Sequence, residues 1–434
     1  MELKPVNNKE KLEIIKKLLK EITQGADPET LKKKYGEFLA KTFPLEITLL
    51  EQQLVAEGIK PEEILKVCDL HVDLFREYLA KQTIQVVPID HPLDLLLREN
   101  TEILKLVEVM SLYSNTVLST SDPEEKKNRL NNALTILSKL KQFIRLHYRK
   151  NQMVLFPYLE RRGIYAIPRV LWGREDQALK KIREILQKAN KLDPDETAKK
   201  LLEISNEISD LVFRENKILY PAVWILLSEG EWVAIHEMNQ MLGYIVKTDY
   251  KWKPSAEPIY PYMVKGIITE EQFKKLPEEF KQFLKDIKPD NYQVIRENDI
   301  DLGTGFVSID DLKGIFKSLP LEITYADNND RVRFFTKSQL TGGFPRLKTI
   351  IGRKLEYCHP PRLENYVKQN VKQLKESKQL FKEFWTRMGD RIIRVLIVGV
   401  RNDKGEYIGT LEVVEDFTDI IKNPENVLKK IIIL

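Results

Sequence analysis

The chain has 434 residues, 42 % of them hydrophobic and 31 % charged, a globular composition and too long for one ordinary helical domain. Its 70 basic and 65 acidic residues leave a net charge of +5, which argues against a nucleic-acid-binding face. Apolar runs such as "AVWILL" are too short to span a bilayer, and the two cysteines, Cys68 and Cys358, exclude a disulfide framework.

Residues 8 to 84 read as short helices. "LEIIKKLLKEI" and "TFPLEITLLEQQLVAEGI" repeat apolar residues at helical spacing, and "KPEEILKVCDLHVDLFREYL" predicts a third helix. From Asp90 the helices lengthen. "DHPLDLLLRENTEILKLVEVMSLYSNTVL" is one, and a second opens at Asp122 and Pro123, a cap followed by a first-turn proline. A shorter helix runs from Arg174 to Lys191, and Asp193 with Pro194 opens a fourth by the same cap chemistry. Four amphipathic helices with short connections predict an up-and-down bundle, with "EWVAIHEMNQMLGYIV" against it. The stretch "YKWKPSAEPIYPYM" reads as a linker or arm, whose aromatics leave water only by lying on neighbouring domains.

Past Gly303 strands dominate. "LEITYAD" and "RVRFFTKS" flank a turn as in a hairpin, the helix "RLENYVKQNVKQLKES" follows, and three further strands end at "YIGTLEVVEDFTD". Five strands with a helix inserted predict an α+β domain with an antiparallel sheet. The expected architecture is therefore multidomain: a helical module over 1–85, a four-helix bundle over 86–247, an arm with short helices over 248–302, the α+β domain over 303–424 and a tail over 425–434. "GTG" at Gly303 opens no phosphate-cradling loop, and "YADNND" lacks the spacing of a calcium loop.

Two stretches of the bundle echo each other. "HYRKNQMVLFP" (147–157) and "FRENKILYP" (213–221) both end in leucine, an aromatic and proline. Six residues before that proline stand Asn151 in the first and Glu215 in the second, and ten before it stand His147 and Leu211, so each copy carries half of a metal-binding pair.

With these motifs the bundle resembles the hemerythrin-like cation-binding domain, through "DHPLDLLLREN", "HYRKNQMVLFPYLERRGI" and "FRENKILYPAV". The last domain resembles a PAS sensor domain, from "LPLEITYADNNDRVRFF" through "FPRLKTIIGRKLEYCHPP" to "GEYIGTLEVVEDFTDI", and the first helices are similar to an uncharacterised domain found ahead of those two. A hemerythrin-like bundle holds two irons with inward histidines and carboxylates. The resemblance implies His91, His147, Glu175 and Glu215 as the surviving ligands, with Asn151 or Glu207 assisting. Asn151 stands where a glutamate is expected, with Gln152 beside it, and Leu211 where a histidine is expected. The competing reading is a relic whose polar residues hydrogen-bond one another, because buried charge must be paired. His236 is expected to be structural or exposed.

PAS domains hold haem, flavin, another small molecule or nothing. Here His359 is a candidate axial ligand for haem and Cys358 a candidate thiolate, against the reading that Pro360 and Pro361 start a helix which His359 caps. Cys68 and His71, three apart on one helix, form a second candidate metal pair, alone or with Cys358 and His359. The expected function is a cytoplasmic sensory or regulatory protein. Its signal would be a ligand, a gas or a redox state, and it would act through a signalling partner or a homodimer, with no nucleic acid and no membrane. The alternatives are an iron-dependent oxidase or nitric oxide reductase in the bundle, and a scaffold without catalysis.

Overall fold

A computed structural model describes residues 87–189, 193–266, 287–337, 346–376 and 380–432, with scattered residues between 13 and 36. The chain divides into two compact units, Met1–Gln293 and Val294–Leu434. Among the described residues, no helix is long and apolar enough to cross a membrane.

The first unit is helical. Helices α1 (Pro92–Ser119) and α2 (Pro123–Lys150) are joined by a three-residue connection, and α4 (Ala166–Lys188) and α5 (Pro194–Arg214) complete the bundle. Helix α1 packs on α2 and α5, and α4 packs on the same two. Each start has a local cause. Asp122 accepts from Glu124 N at 3.0 Å, Asp193 accepts from Asp195 N and Glu196 N, and prolines follow both caps where no backbone donor is needed. The core is built from stripes at helical spacing: Leu96, Ile103, Val107 and Met110 on α1; Leu137, Leu140 and Ile144 on α2; Leu201, Ile204 and Ile208 on α5. Leu18, Leu31 and Tyr35 of the amino-terminal stretch join this core.

The echoing stretches share one irregularity. Helix α2 passes into a π-helical turn, Asn151–Leu155, before α3 (Phe156–Arg161), and α5 passes into another, Glu215–Leu219, before α6 (Tyr220–Leu226). Pro157 and Pro221 explain both. A proline inside a regular helix lacks its donor and its ring strikes the carbonyl four residues back. One extra residue per turn relieves that conflict, with the Phe156 and Tyr220 amides bonded to the carbonyls of Asn151 and Glu215.

Helix α7 (Glu229–Leu242) starts with a capping box between Ser228 and Glu231, and Glu231 also takes the buried Arg162 guanidinium at 2.6 Å. The arm follows and lies along the bundle. Asp90 accepts from the amides of Asp249 and Lys251, Tyr158 donates to the Ile259 carbonyl, and Arg161 pairs with Asp290 at 3.2 Å.

The second unit opens with a small hairpin of β1 (Ile300–Asp301) and β2 (Phe306–Val307), then α8 (Ile309–Ser318). Its five-stranded antiparallel sheet comprises β3 (Glu322–Asp327), β4 (Val332–Phe335), β5 (Phe381–Met388), β6 (Arg391–Arg401) and β7 (Tyr407–Asp416) in the order β4-β3-β7-β6-β5. All five expected strands form. Helix α9 (Pro361–Glu376) buries Val371 and Leu374, and Gly399 lets the α9 backbone approach β6: an added Cβ there would lie 3.3 Å from the Leu374 carbonyl oxygen. Short helices α10 (Thr418–Lys422) and α11 (Pro424–Leu428) end the described chain. The sheet's own core is small: Ile393, Val395 and Val414, with Phe384, Met388 and Ile397 packed against them.

Candidate functional site

Charged residues occupy positions in phase with the apolar stripes of the bundle. Glu99 follows Leu96 and precedes Ile103 on α1, His147 follows Ile144 on α2, and Glu175 precedes Ala178 on α4. None of these, nor Glu215, Asn151 or Lys150, is exposed at all. Burying unpaired charge is costly, so the question is where each finds its partner.

His147 lies between two carboxylates. Its Nδ1 is 2.8 Å from Glu99 Oε2 and its Nε2 is 3.0 Å from Glu215 Oε2. Both oxygens belong to acceptors, so both ring nitrogens donate and the ring is an imidazolium. Burial pushes its pKa down, but Glu215 and Glu99 more than offset this and hold it at about 9. The other oxygen of Glu99 accepts from the Lys150 ammonium and, at 3.2 Å, from the amide of Ile245. Lys150 also sits 4.6 Å from the ring centre of Tyr244. The other oxygen of Glu215 accepts from Asn151 Nδ2 at 3.0 Å, and Tyr220 places its hydroxyl 3.0 Å from His147 Nε2. Two carboxylates thus face the imidazolium and the Lys150 ammonium; burial lowers the Lys150 pKa from its ordinary value, and the Glu99 carboxylate bonded to it opposes that shift.

Glu175 lies beside this set. Gln152 Nε2 donates to its Oε2 at 2.5 Å, while Oε1 has no hydrogen-bond partner among the described residues. Burial, with repulsion from Glu215, pushes its pKa up to about 8, so the carboxyl stays protonated at neutral pH. The hydroxyl of Tyr148, also buried and without a partner among the described residues, is raised well above its usual value by burial and then by Glu215 and Glu175.

The structure therefore brings His147 and Glu215 together, with Glu175 one side chain away, but not His91. His91 caps α1, its Nδ1 accepting from Leu93 N at 3.1 Å. Its ring is surrounded by Trp224, Trp232 and Trp252 at centroid distances of 5.2, 4.9 and 4.7 Å. Burial drives its pKa down to about 3, so the ring is neutral, with its proton on Nε2. Glu207 pairs with Lys181 on the surface, and His236 packs its ring on Tyr250 and Trp252. Sequence reasoning missed Glu99 and Lys150, although each falls in phase with an apolar stripe, the one signal that marks a buried charge.

These residues do not fit a two-iron centre. Both His147 nitrogens and both oxygens of Glu99 and of Glu215 are committed within the cluster, and an ammonium lies against Glu99. Among the described residues no group of three or more His, Cys, Asp or Glu side chains is placed to hold a metal ion.

In the second unit Arg346 spans the sheet face that carries Val395 and Val414. Its guanidinium pairs with Glu322, with Glu412 at 2.9 Å and with Thr324 Oγ1 at 2.7 Å. Thr324 and Glu412 are register partners on β3 and β7, which places them on one face. His359 is half-buried and its Nδ1 is 2.9 Å from the Leu355 carbonyl, an acceptor only, so Nδ1 carries the proton. The Cys358 thiol is raised by burial first, which keeps it protonated rather than a thiolate. Cys68 and His71 lie outside the described residues.

The fold is a helical bundle of hemerythrin type and a PAS-type sheet domain in one chain. Family comparisons agree: residues 91–223 match the hemerythrin HHE cation binding domain, residues 312–418 a PAS domain, and residues 15–81 a family of unknown function, DUF438. The chain is thus a three-domain protein with these modules in that order. A comparison with curated proteins finds no match. Among solved structures, a C-terminal domain from Streptococcus mutans is similar at 26 % identity over 29 % of this chain and 98 % of its own, with a TM-score of 0.27. A sensory box sensor histidine kinase from Vibrio cholerae is similar at 11 % identity over 24 % of this chain and 87 % of its own, with a TM-score of 0.20.

Proposed function

We propose that this is a sensory or regulatory protein whose PAS domain takes up a small molecule against the inner face of its sheet and passes the response to a partner protein or through a homodimer. A PAS domain and a hemerythrin-type bundle in one chain fit a sensory and regulatory role. The observation that carries the ligand reading is the Arg346 cluster. A sheet that only packed on its helix would bury aliphatic side chains there. This one presents a guanidinium, two carboxylates and a threonine hydroxyl beside Val395 and Val414, the mixture of apolar wall and few polar anchors that orients a small ligand.

One observation favours haem as that ligand. The Nδ1–H bond to the Leu355 carbonyl orients the His359 ring and leaves Nε2 as the lone-pair nitrogen, the arrangement an axial ligand needs. The protonated Cys358 thiol does not suit it as the ligand. An oxidase or nitric oxide reductase in the bundle is the weaker reading, because its ligand positions are held by Asn151 and Leu211 and Lys150 lies among them.

Native mass spectrometry of the full chain tests the proposal. A retained small molecule that is lost in Arg346→Ala supports it, and a bare mass in every preparation sinks it. Titration with haemin separates the ligands: a Soret band abolished or shifted in His359→Ala assigns haem to His359, and no uptake removes haem.

A further inference from the structure

The resemblance of the bundle to a cation-binding domain and the chemistry of its core disagree, and the disagreement has a specific cause. Lys150 follows His147 by three residues, so both side chains leave the same face of α2. Its ammonium is wholly buried and bonds to Glu99. The opposite oxygen of that carboxylate takes His147 Nδ1 at 2.8 Å, and the opposite nitrogen of that imidazole takes Glu215 at 3.0 Å. A continuous chain of alternating charge therefore runs from Lys150 through Glu99 and His147 to Glu215. A divalent cation held by Glu99, His147 and Glu215 would need the imidazolium to lose a proton and the ammonium to leave Glu99, with like-charge repulsion from Lys150 if it stayed. Asn151 completes the set by donating to Glu215, where a carboxylate at the same position would only repel it.

We infer that Lys150 is a built-in cation: its ammonium, with the His147 imidazolium, neutralises the core carboxylates in place of a metal, and it keeps the bundle metal-free. Three other features agree. The Tyr244 ring lies against the ammonium, the Ile245 amide donates to the same Glu99 oxygen, and the Lys150 side chain is fully buried. The residue is thus held in place from the segment following α7 as well as from α1. This inference concerns the bundle alone and stands whether or not the PAS domain takes a ligand.

The test uses the full chain, wild type and Lys150→Met, which keeps the apolar stem and removes the charge. Each is exposed anaerobically to Fe(II), and separately to Zn(II), then desalted and assayed for bound metal and for thermal shift. The wild type is expected to retain no stoichiometric metal and to show no metal-dependent shift. Lys150→Met is expected to bind about one ion per chain, at least about tenfold more tightly than the wild type, and to be stabilised by it. Adding Glu99→Gln to Lys150→Met should abolish that gain. About one iron or zinc per wild-type chain, retained through desalting, overturns the inference without reference to any variant. A folded Lys150→Met chain that is as metal-free as the wild type overturns the role given to Lys150. Should Lys150→Met fail to fold, Lys150→Gln carries the same comparison.

Discussion

The buried groups of the bundle set an unusual dependence on pH. Glu175 has no cation of its own, and its pKa is raised from 4.5 to about 8, by burial first and then by Glu215. Between those values the folded state keeps a proton that the unfolded chain has lost, so stability falls as pH rises through that window. Glu175→Gln removes the penalty while keeping size and hydrogen bonding. Denaturation of the variant at pH 7 should show a gain on the order of 3 kcal/mol, shrinking towards nothing near pH 4. An unchanged pH slope would show that Glu175 ionises freely in the fold. His147 acts in the same direction at higher pH. Its pKa is raised from 6.5 to about 9, so its contribution is complete below 6.5 and lost as pH rises through 9. That part of the slope should survive in Glu175→Gln.

At the scale of elements, the π turns and the arm decide what the bundle can place. Each turn begins at a residue of the polar core, Asn151 in one copy and Glu215 in the other, and the extra residue rotates the helix ahead of the proline. The arm is held by a close backbone approach at Gly163, whose φ is +80° and where an added Cβ would lie 2.2 Å from the Lys288 carbonyl oxygen. Gly163→Ala must therefore strain its own backbone and displace residues near 288. A loss on the order of 2 kcal/mol is expected, with faster proteolytic cleavage around residues 287–293. An unaltered melting temperature and cleavage pattern would mean that the arm does not depend on this contact.

At the scale of the molecule, each unit has a hydrophobic core of its own among the described residues, one large and helical, the other small and confined to the sheet. Separate cores melt as separate cooperative units when few contacts link them. Gly409 in β7 gives a selective probe, because an added Cβ would lie 2.3 Å from the Ala326 carbonyl oxygen and 2.5 Å from the Tyr325 ring. Calorimetry of Gly409→Ala should show the sheet domain melting lower, or already unfolded, with the bundle transition unmoved. A single transition that shifts as a whole would show the units to be thermodynamically coupled.

The bundle helices and the five strands were legible in the sequence because their causes are local, and the order of the three domains was legible through motifs that resemble known families. Asp122 and Asp193 cap with a proline behind them, and apolar residues recur at helical or alternating spacing. Periodicity also says which face of a helix a side chain leaves from. It does not say which side chain meets it. Lys150 finds Glu99 across 51 residues of chain and His147 finds Glu215 across 68, pairings set by how four helices are rotated against one another. His91 shows the converse. By sequence it stands at a ligand position, yet Trp224, Trp232 and Trp252 close around it and the first turn of α1 takes its Nδ1. Only the tertiary structure decided that the bundle's buried charges answer one another, because burial leaves each charge to the nearest opposite charge in space rather than in sequence.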